Sequence, residues 1–77
     1  MSIQVKLFGS LVDVVGKNDL AIEGINDTDS LKKKMLVDFP KLKDQSFVVA
    51  VSKQIVKGNQ VLNSGDTVAL LPPFAGG

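Results

Sequence analysis

The sequence predicts an α+β roll, in which one main helix packs on one face of a mixed β-sheet and a second, short helix joins two strands. Three observations support this class: a strand pattern opens the chain, an amphipathic helical pattern lies near residue 30, and further strand patterns fill the second half. With 77 residues, the chain has room for one domain. Its hydrophobic content of 44% indicates a folded protein.

The first strand and a short helix come first along the chain. Ile3, Val5 and Leu7 recur with the period of two that is typical of a half-buried strand. Residues 10–13 fit a capping box, and Gly16 fits the end of a helix. We therefore expect a helix of about one and a half turns between them.

A second strand and the main helix follow. Alternating residues predict a strand that ends near Gly24. Asp27 or Thr28 can cap a helix that runs to about Asp38, and Pro40 ends it, because the residue before a proline is pushed out of the helical region. The apolar stripe of this helix consists of Leu31, Met35 and Phe39.

Three more strands are predicted in the second half. The apolar run over 47–51 indicates a strand at or near the middle of the sheet, and residues 54–56 form a return strand after a tight turn at 52–53. The last strand covers 67–71 and stops at the proline pair, which cannot donate to a ladder. A right-handed crossover makes the first and last strands neighbours, which is the β-grasp, or ubiquitin-like, arrangement.

The composition excludes several functions. The chain has no Cys and no His, so it lacks a thiolate nucleophile, an imidazole base and the usual ligands of a zinc or copper site. We therefore expect no metal site and no stand-alone enzyme. All nine basic residues are lysines and the net charge is +1, which disfavours a nucleic-acid partner. No apolar run approaches the roughly 20 residues of a membrane span, and no secretory signal opens the sequence, so we expect a cytoplasmic protein without a membrane partner.

The lysine run at 32–34 has two interpretations. Opposite charges at a spacing of four, Asp29 with Lys33 and Lys34 with Asp38, favour an exposed, solvated helix face. The alternative is a docking patch for an acidic partner.

Two apolar residues stand where polar ones are expected. Phe8 continues the polar side of the first strand, so it either tucks under the short helix or is an exposed anchor for a partner. Leu70 and Leu71 are consecutive on a strand and must face opposite sides. One of the two leucines is therefore expected to meet a partner.

The last six residues suggest a chemical function. We divide the chain into a domain over 1–71 and a flexible, extended tail over 72–77. The stiff proline pair is expected to hold the tail away from the domain, and the Phe74 side chain provides an apolar contact part-way along the tail. Gly76 and Gly77 have no side chains to block a narrow channel, so the tail presents the Gly77 carboxylate at its tip. That carboxylate needs activation, for example by adenylation, before a sulfur or amine nucleophile can attack it.

The whole chain resembles the MoaD-type sulfur carriers, which are the small subunits of molybdopterin synthases within the MoaD/ThiS ubiquitin-like family. The resemblance covers the opening strand through Phe8, residues 31–35 of the main helix, and the turn region 50–54. It is most specific over 62–73, LNSGDTVALLPP, and over the ending FAGG at 74–77. The turn Ser-Lys-Gln departs slightly from the commoner Asn-Gln of the family.

The resemblance implies a carrier cycle. A ubiquitin-activating-like adenylyltransferase would adenylate Gly77 with ATP and magnesium, and a sulfur donor would convert it to a thiocarboxylate. The loaded tail would enter the large subunit of a heterotetrameric synthase and give its sulfur to a cyclic pyranopterin monophosphate. This chain itself would bind no cofactor. Phe8 and Leu71 match docking contacts of the family, and the inserted tail corresponds to Pro72, Pro73, Phe74, Ala75 and Gly76.

Two other functions remain open. A carrier with a different client, either a thiazole-type sulfur carrier or a ubiquitin-like protein modifier, would share the Gly-Gly end. Thiazole carriers usually lack the proline pair, so Pro72-Pro73 favours the molybdopterin pathway. The second of these functions is that of a non-catalytic binding domain with a chemically idle tail.

Overall fold

A computed structural model describes residues 2–72, which form a five-stranded sheet and two α-helices. Neither helix in that span is long and apolar enough to cross a membrane. The elements in chain order are β1 (Ser2–Leu7), α1 (Ser10–Val15), β2 (Asp19–Glu23), α2 (Thr28–Asp38), a 3-10 helix (Pro40–Asp44), β3 (Val48–Val51), β4 (Gln54–Ile55) and β5 (Thr67–Leu71).

The sheet is mixed, with the strand order β2-β1-β5-β3-β4. β1 and β5 run parallel, with Val5 opposite Val68, and every other neighbouring pair is antiparallel. The predicted pairing of the first and last strands is therefore confirmed. β3 lies inside the sheet between β5 and β4, and Val49, Ala50 and Val51 are buried in succession, as the unbroken apolar run predicts.

The core lies between α2 and one face of the sheet, which we call the inner face. Leu31 and Met35 of α2 are fully buried there, whereas Phe39 caps the helix and is only partly buried. Each fully buried side chain of this size stabilises the fold by about 1.5–3 kcal/mol relative to an exposed one. The core residues contributed by β1, β3 and β5 are Ile3, Val5, Leu7, Val49, Val51, Val68 and Leu70.

The two helices begin in different ways. Asp27 is the N-cap of α2, and its carboxylate accepts a hydrogen bond of 3.0 Å from the Ser30 amide, as predicted. The predicted capping box of α1 is wrong. Gly9 is the N-cap, Ser10 lies inside the helix, and no side chain caps the first turn. The chain turns into α1 through the backbone of Gly9, whose φ of 59° needs no side-chain bond. The end of α1 at Gly16 is as predicted.

A polar clamp joins the start of α2 to the loop before β5. The Asn59 side chain donates to Asp27 over 3.1 Å and accepts from the Asp29 amide over 2.9 Å. The buried Thr28 hydroxyl accepts from the Gln60 amide over 2.9 Å. These bonds satisfy free amides of the first helical turn and lower the pKa of Asp27, chiefly through the hydrogen bonds from Ser30 and Asn59.

Candidate docking face and tail root

The face of the sheet that points away from the core, which we call the outer face, carries small and apolar residues in its middle. The strand register places Lys6 beside Ala69, Ala69 opposite Ala50, and Ala50 opposite Ile55. Ile55 is 53% exposed, so this row reaches solvent at the β4 edge. Alternation along β1, β5 and β3 creates the face, since every second side chain of each strand points out of it.

Phe8 and Leu71 form the next row of the outer face. The Phe8 amide donates to the Leu70 carbonyl over 3.2 Å, which continues the parallel ladder one residue beyond β1. Leu71 lies opposite Val48 in the antiparallel pair on its other side. Phe8 is 45% exposed, so it does not tuck under α1, and the alternation in the sequence placed it correctly.

The two leucines at the end of β5 have separate surroundings, as expected from their sequence. Leu70 is fully buried in the core, whereas Leu71 is half-buried on the outer face. The outer face thus ends, next to the tail, in an apolar pair made of Phe8 and Leu71. That these two residues contact a partner stays a prediction.

The outer face holds a shallow depression of about 490 Å³ between Phe8 and the start of β5. Its lining includes Ala50 and Ala69, the two lysines Lys6 and Lys53, and the carboxylate of Asp66. Among residues 2–72, the one ion pair within 4 Å joins Lys34 to Asp38, so neither lysine of the depression is in direct contact with a carboxylate of the described chain. A partly apolar lining that carries two ammonium groups and one carboxylate fits a partner surface that combines apolar side chains with charges of complementary sign.

Pro72 begins the predicted tail, but it is buried against the domain. A Cβ placed on Gly9 would lie 2.8 Å from Cγ of Pro72, closer than real Cβ atoms approach a neighbour. The ring therefore occupies space that only a glycine leaves free. The expectation that the proline pair holds the chain off the domain is wrong for Pro72, because its ring packs on Gly9. Pro73, Phe74, Ala75, Gly76 and Gly77 lie outside the described residues.

The family model described as the ThiS family matches residues 5–77, which is nearly the whole chain and includes the Gly-Gly ending. The chain belongs to the ThiS family. This ThiS-family domain has the β-grasp, ubiquitin-like fold predicted from the order of its elements.

Solved structures support the same fold for this ThiS-family domain. A protein named molybdopterin converting factor, subunit 1, from Pyrococcus furiosus is 22% identical with a TM-score of 0.84, covering 95% of this chain and 98% of that one. The small archaeal modifier protein 1 of Methanosarcina acetivorans is 20% identical with a TM-score of 0.82, covering 99% and 96%. One chain in the complex of subunits 1 and 2 of molybdopterin-converting factor from Helicobacter pylori is 28% identical with a TM-score of 0.75, and the match covers 100% of both chains.

Sequence reasoning singled out some residues of the candidate docking face and tail root and overlooked others. Phe8 and Leu71 lie together on the outer face, and Pro72 adjoins them at the end of β5. Gly9 and the lysines beside the depression were not singled out. The alternation of β1 carries the signal for Lys6, but no local pattern links Gly9 to Pro72. Among residues 2–72, no group of three or more acidic side chains could hold a metal ion.

Proposed function

We propose that this chain is the sulfur-carrier subunit of a molybdopterin synthase, and that its Gly77 carboxylate carries the sulfur as a thiocarboxylate. The observation that supports this most is the ThiS-family match, which extends through the Gly-Gly ending to Gly77. The proline pair before it favours the molybdopterin pathway over a thiazole client. The similar proteins from Pyrococcus furiosus and Helicobacter pylori are named as molybdopterin converting factor.

The proposed chemistry has three steps, which are adenylation of Gly77, replacement of AMP by sulfur, and transfer of the sulfur to the acceptor. A Gly77 oxygen attacks the α-phosphate of ATP, pyrophosphate leaves, and an acyl-adenylate forms. A hydrosulfide-equivalent sulfur from a donor then attacks the carbonyl carbon, a C–S bond forms, and AMP leaves with the C–O bond electrons. In sulfur transfer, the thiocarboxylate sulfur attacks an acceptor carbon, a new C–S bond forms there, and a leaving group departs from the acceptor. Water then attacks the Gly77 carbonyl carbon and the bond from this carbon to sulfur breaks, which restores the carboxylate and leaves the sulfur on the acceptor. ATP and magnesium belong to the adenylyltransferase, and the cyclic pyranopterin monophosphate is the acceptor in the synthase.

In these steps, the chain presents the Gly77 carboxylate, and its partner proteins supply the catalytic groups. The sequence contains no Cys and no His, so it offers neither of the side chains that most often act as nucleophile or base near neutral pH. The outer face with Phe8 and Leu71 lies next to the root of the tail. A partner bound to this face would therefore be close to the point where the tail leaves the domain. The activating enzyme and the large synthase subunit would use this arrangement in turn.

A second function, conjugation to proteins, is favoured by the likeness to small archaeal modifier proteins. It would start from the same acyl-adenylate, but a lysine amine would attack the carbonyl and form an amide. The two functions differ in the product, since a carrier ends as a thiocarboxylate of unchanged chain length and a modifier ends attached to another protein.

Intact mass spectrometry tests the proposal. The chain is incubated with ATP, magnesium, a cognate adenylyltransferase and a sulfide donor. We expect a gain of about 16 Da at Gly77, because one sulfur replaces one oxygen. A variant extended by one alanine after Gly77 is the matched control and should gain nothing, while its thermal midpoint stays that of the parent. An enzyme that forms the adenylate but leaves the mass unchanged, or equal gain by the extended variant, would contradict the carrier function.

A further inference from the structure

We propose that Gly9 and Pro72 form a fixed root for the carboxyl-terminal tail, and that both are positioning residues for Gly77. The proposal rests on the proposed function and adds to it the point at which the tail leaves the domain. It assigns Pro72 to the domain and limits the inserted arm to residues 73–77.

The backbone of Gly9 is held from both sides. On one side, the Phe8 amide donates to the Leu70 carbonyl over 3.2 Å, which ties the end of β1 to β5. On the other side, α1 starts, and the Val12 amide donates to the Gly9 carbonyl over 3.2 Å. A movement of Gly9 away from the ring of Pro72 would therefore strain these bonds.

The conformation of Gly9 also requires glycine. Its φ of 59° and ψ of −138° lie in a region that residues with a Cβ rarely adopt. An added Cβ would meet Cγ of Pro72 at 2.8 Å, and that atom belongs to a rigid ring on a residue fixed at the end of β5. Since hydrogen bonds hold the chain on both sides of Gly9, we expect an alanine at position 9 to displace the ring of Pro72 from its buried place.

The root determines how far the reactive end can reach. Five residues beyond Pro72 span at most about 17 Å, compared with about 20 Å if the arm began one residue earlier. Displacing Pro72 would change both the reach and the direction in which the arm starts. A misplacement of about 1 Å at a reacting group can lower a rate by about a hundredfold, so a moved root should slow chemistry at Gly77.

The contact can be tested without any partner. In the wild-type chain, we expect a nuclear Overhauser effect between the Gly9 α-protons and the Pro72 γ-protons. We expect Gly9→Ala to abolish the corresponding signal while the amide spectrum of the remaining domain stays dispersed. Absence of the wild-type signal would overturn the root.

The positioning role is tested by the rate of the mass gain at Gly77. We expect Gly9→Ala to lower kcat for thiocarboxylate formation about tenfold or more, with KM within about threefold, because the docking face is retained. Gly24→Ala is the matched control: Gly24 has a φ of 79° with nothing within 4 Å of an added Cβ, so this change introduces strain without a clash. It should lower the thermal midpoint and leave kcat within about twofold of the wild type.

Pro72→Ala provides the rescue. Alanine lacks the Cγ that a Cβ at position 9 would meet, so the double variant Gly9→Ala/Pro72→Ala should have a higher kcat than Gly9→Ala alone. Equal kcat values for Gly9→Ala and Gly24→Ala, or strictly additive losses in the double variant, would overturn the positioning role. A wild-type chain that gains no mass refutes the proposed function, and the Overhauser signal alone then decides whether the root exists.

Discussion

Leu70 and Leu71 are neighbours in β5, yet they belong to two regions with different physical roles. Leu70 is fully buried between the sheet and α2, whereas Leu71 is half-buried on the outer face beside Phe8. The inner face is filled and covered, so its side chains determine the free energy of unfolding. The outer face keeps apolar side chains in contact with water, so burying them against a partner protein can stabilise a complex. A domain of this size buries a modest share of its surface, and it can therefore gain from covering this second face.

Truncation of the two leucines is the strongest test of this difference. Leu70→Ala should lower the free energy of unfolding by about 2–5 kcal/mol, because it leaves a cavity in the core. Leu71→Ala removes the same atoms from a half-buried site and should cost about 1 kcal/mol or less. Urea unfolding followed by circular dichroism measures both changes.

The same two variants should rank in the opposite order when the loss of affinity for the partner is measured. Leu71→Ala is expected to weaken binding to the proposed partner, the large subunit of a molybdopterin synthase, more than Leu70→Ala does. Calorimetry under conditions where both variants are folded measures this difference. Equal losses of stability for the two variants would contradict the assignment of separate roles to the two faces.

Phe8 gives a sharper test of the outer face. Phe8→Glu places a charge at the apolar end of the face and should weaken partner binding by about 2 kcal/mol, or about 30-fold in Kd. The free energy of unfolding should change by about 1 kcal/mol or less, because the ring is already 45% exposed.

Val37→Glu is the matched control for this change, since Val37 is 76% exposed on α2, away from the outer face. It should leave binding unchanged. If the two glutamate variants bind the partner equally well, the outer face is not the docking surface. If Phe8→Glu unfolds the domain, Phe8 belongs to the core.

The sequence predicted those features that depend on local pattern. Alternation in β1 and β5 gave the face of Phe8 and the opposite directions of Leu70 and Leu71. The β-turn at Ser52 and Lys53 was also predicted, and both residues have the positive φ that a tight two-residue hairpin needs. Such features depend on residues close together in the chain, so one sequence is enough to identify them.

Features that depend on tertiary contacts or on backbone geometry were not predicted. The 3-10 helix over Pro40–Asp44 has one buried residue, Leu42, so it leaves no periodic pattern to detect. Ser10 fits a capping box by type and spacing, but the positive φ of Gly9 moves the start of α1 one residue earlier. The burial of Pro72 requires Gly9 to be its neighbour in space, and nothing near Pro72 in the sequence indicates this.

The smallest expected effect is a pH dependence of the stability of the fold, which arises at Asp27, the N-cap of α2. Hydrogen bonds from Ser30 and Asn59 hold the pKa of Asp27 below its ordinary value of 3.8. A carboxyl group with a lowered folded-state pKa stabilises the fold when the pH is above its unfolded pKa. That stabilisation is lost as the pH falls from 3.8 through the lower folded-state value.

Asp27→Asn removes this titration. An asparagine still caps the helix, but Ser30 and Asn59 donate to different oxygens of Asp27, and asparagine has an NH2 group in place of one of them. The variant should therefore be less stable than the wild type at neutral pH. The difference in thermal midpoint should stay constant down to about pH 5 and shrink below pH 3.8. Asn59→Ala keeps the carboxyl group and removes one of the donors, which brings the folded-state pKa closer to 3.8. Its loss of stability in acid should therefore start at the same pH as in the wild type, but be smaller and be complete at a higher pH. A difference that grows in acid would contradict the lowered pKa, and the clamp would then not depend on the charge of Asp27.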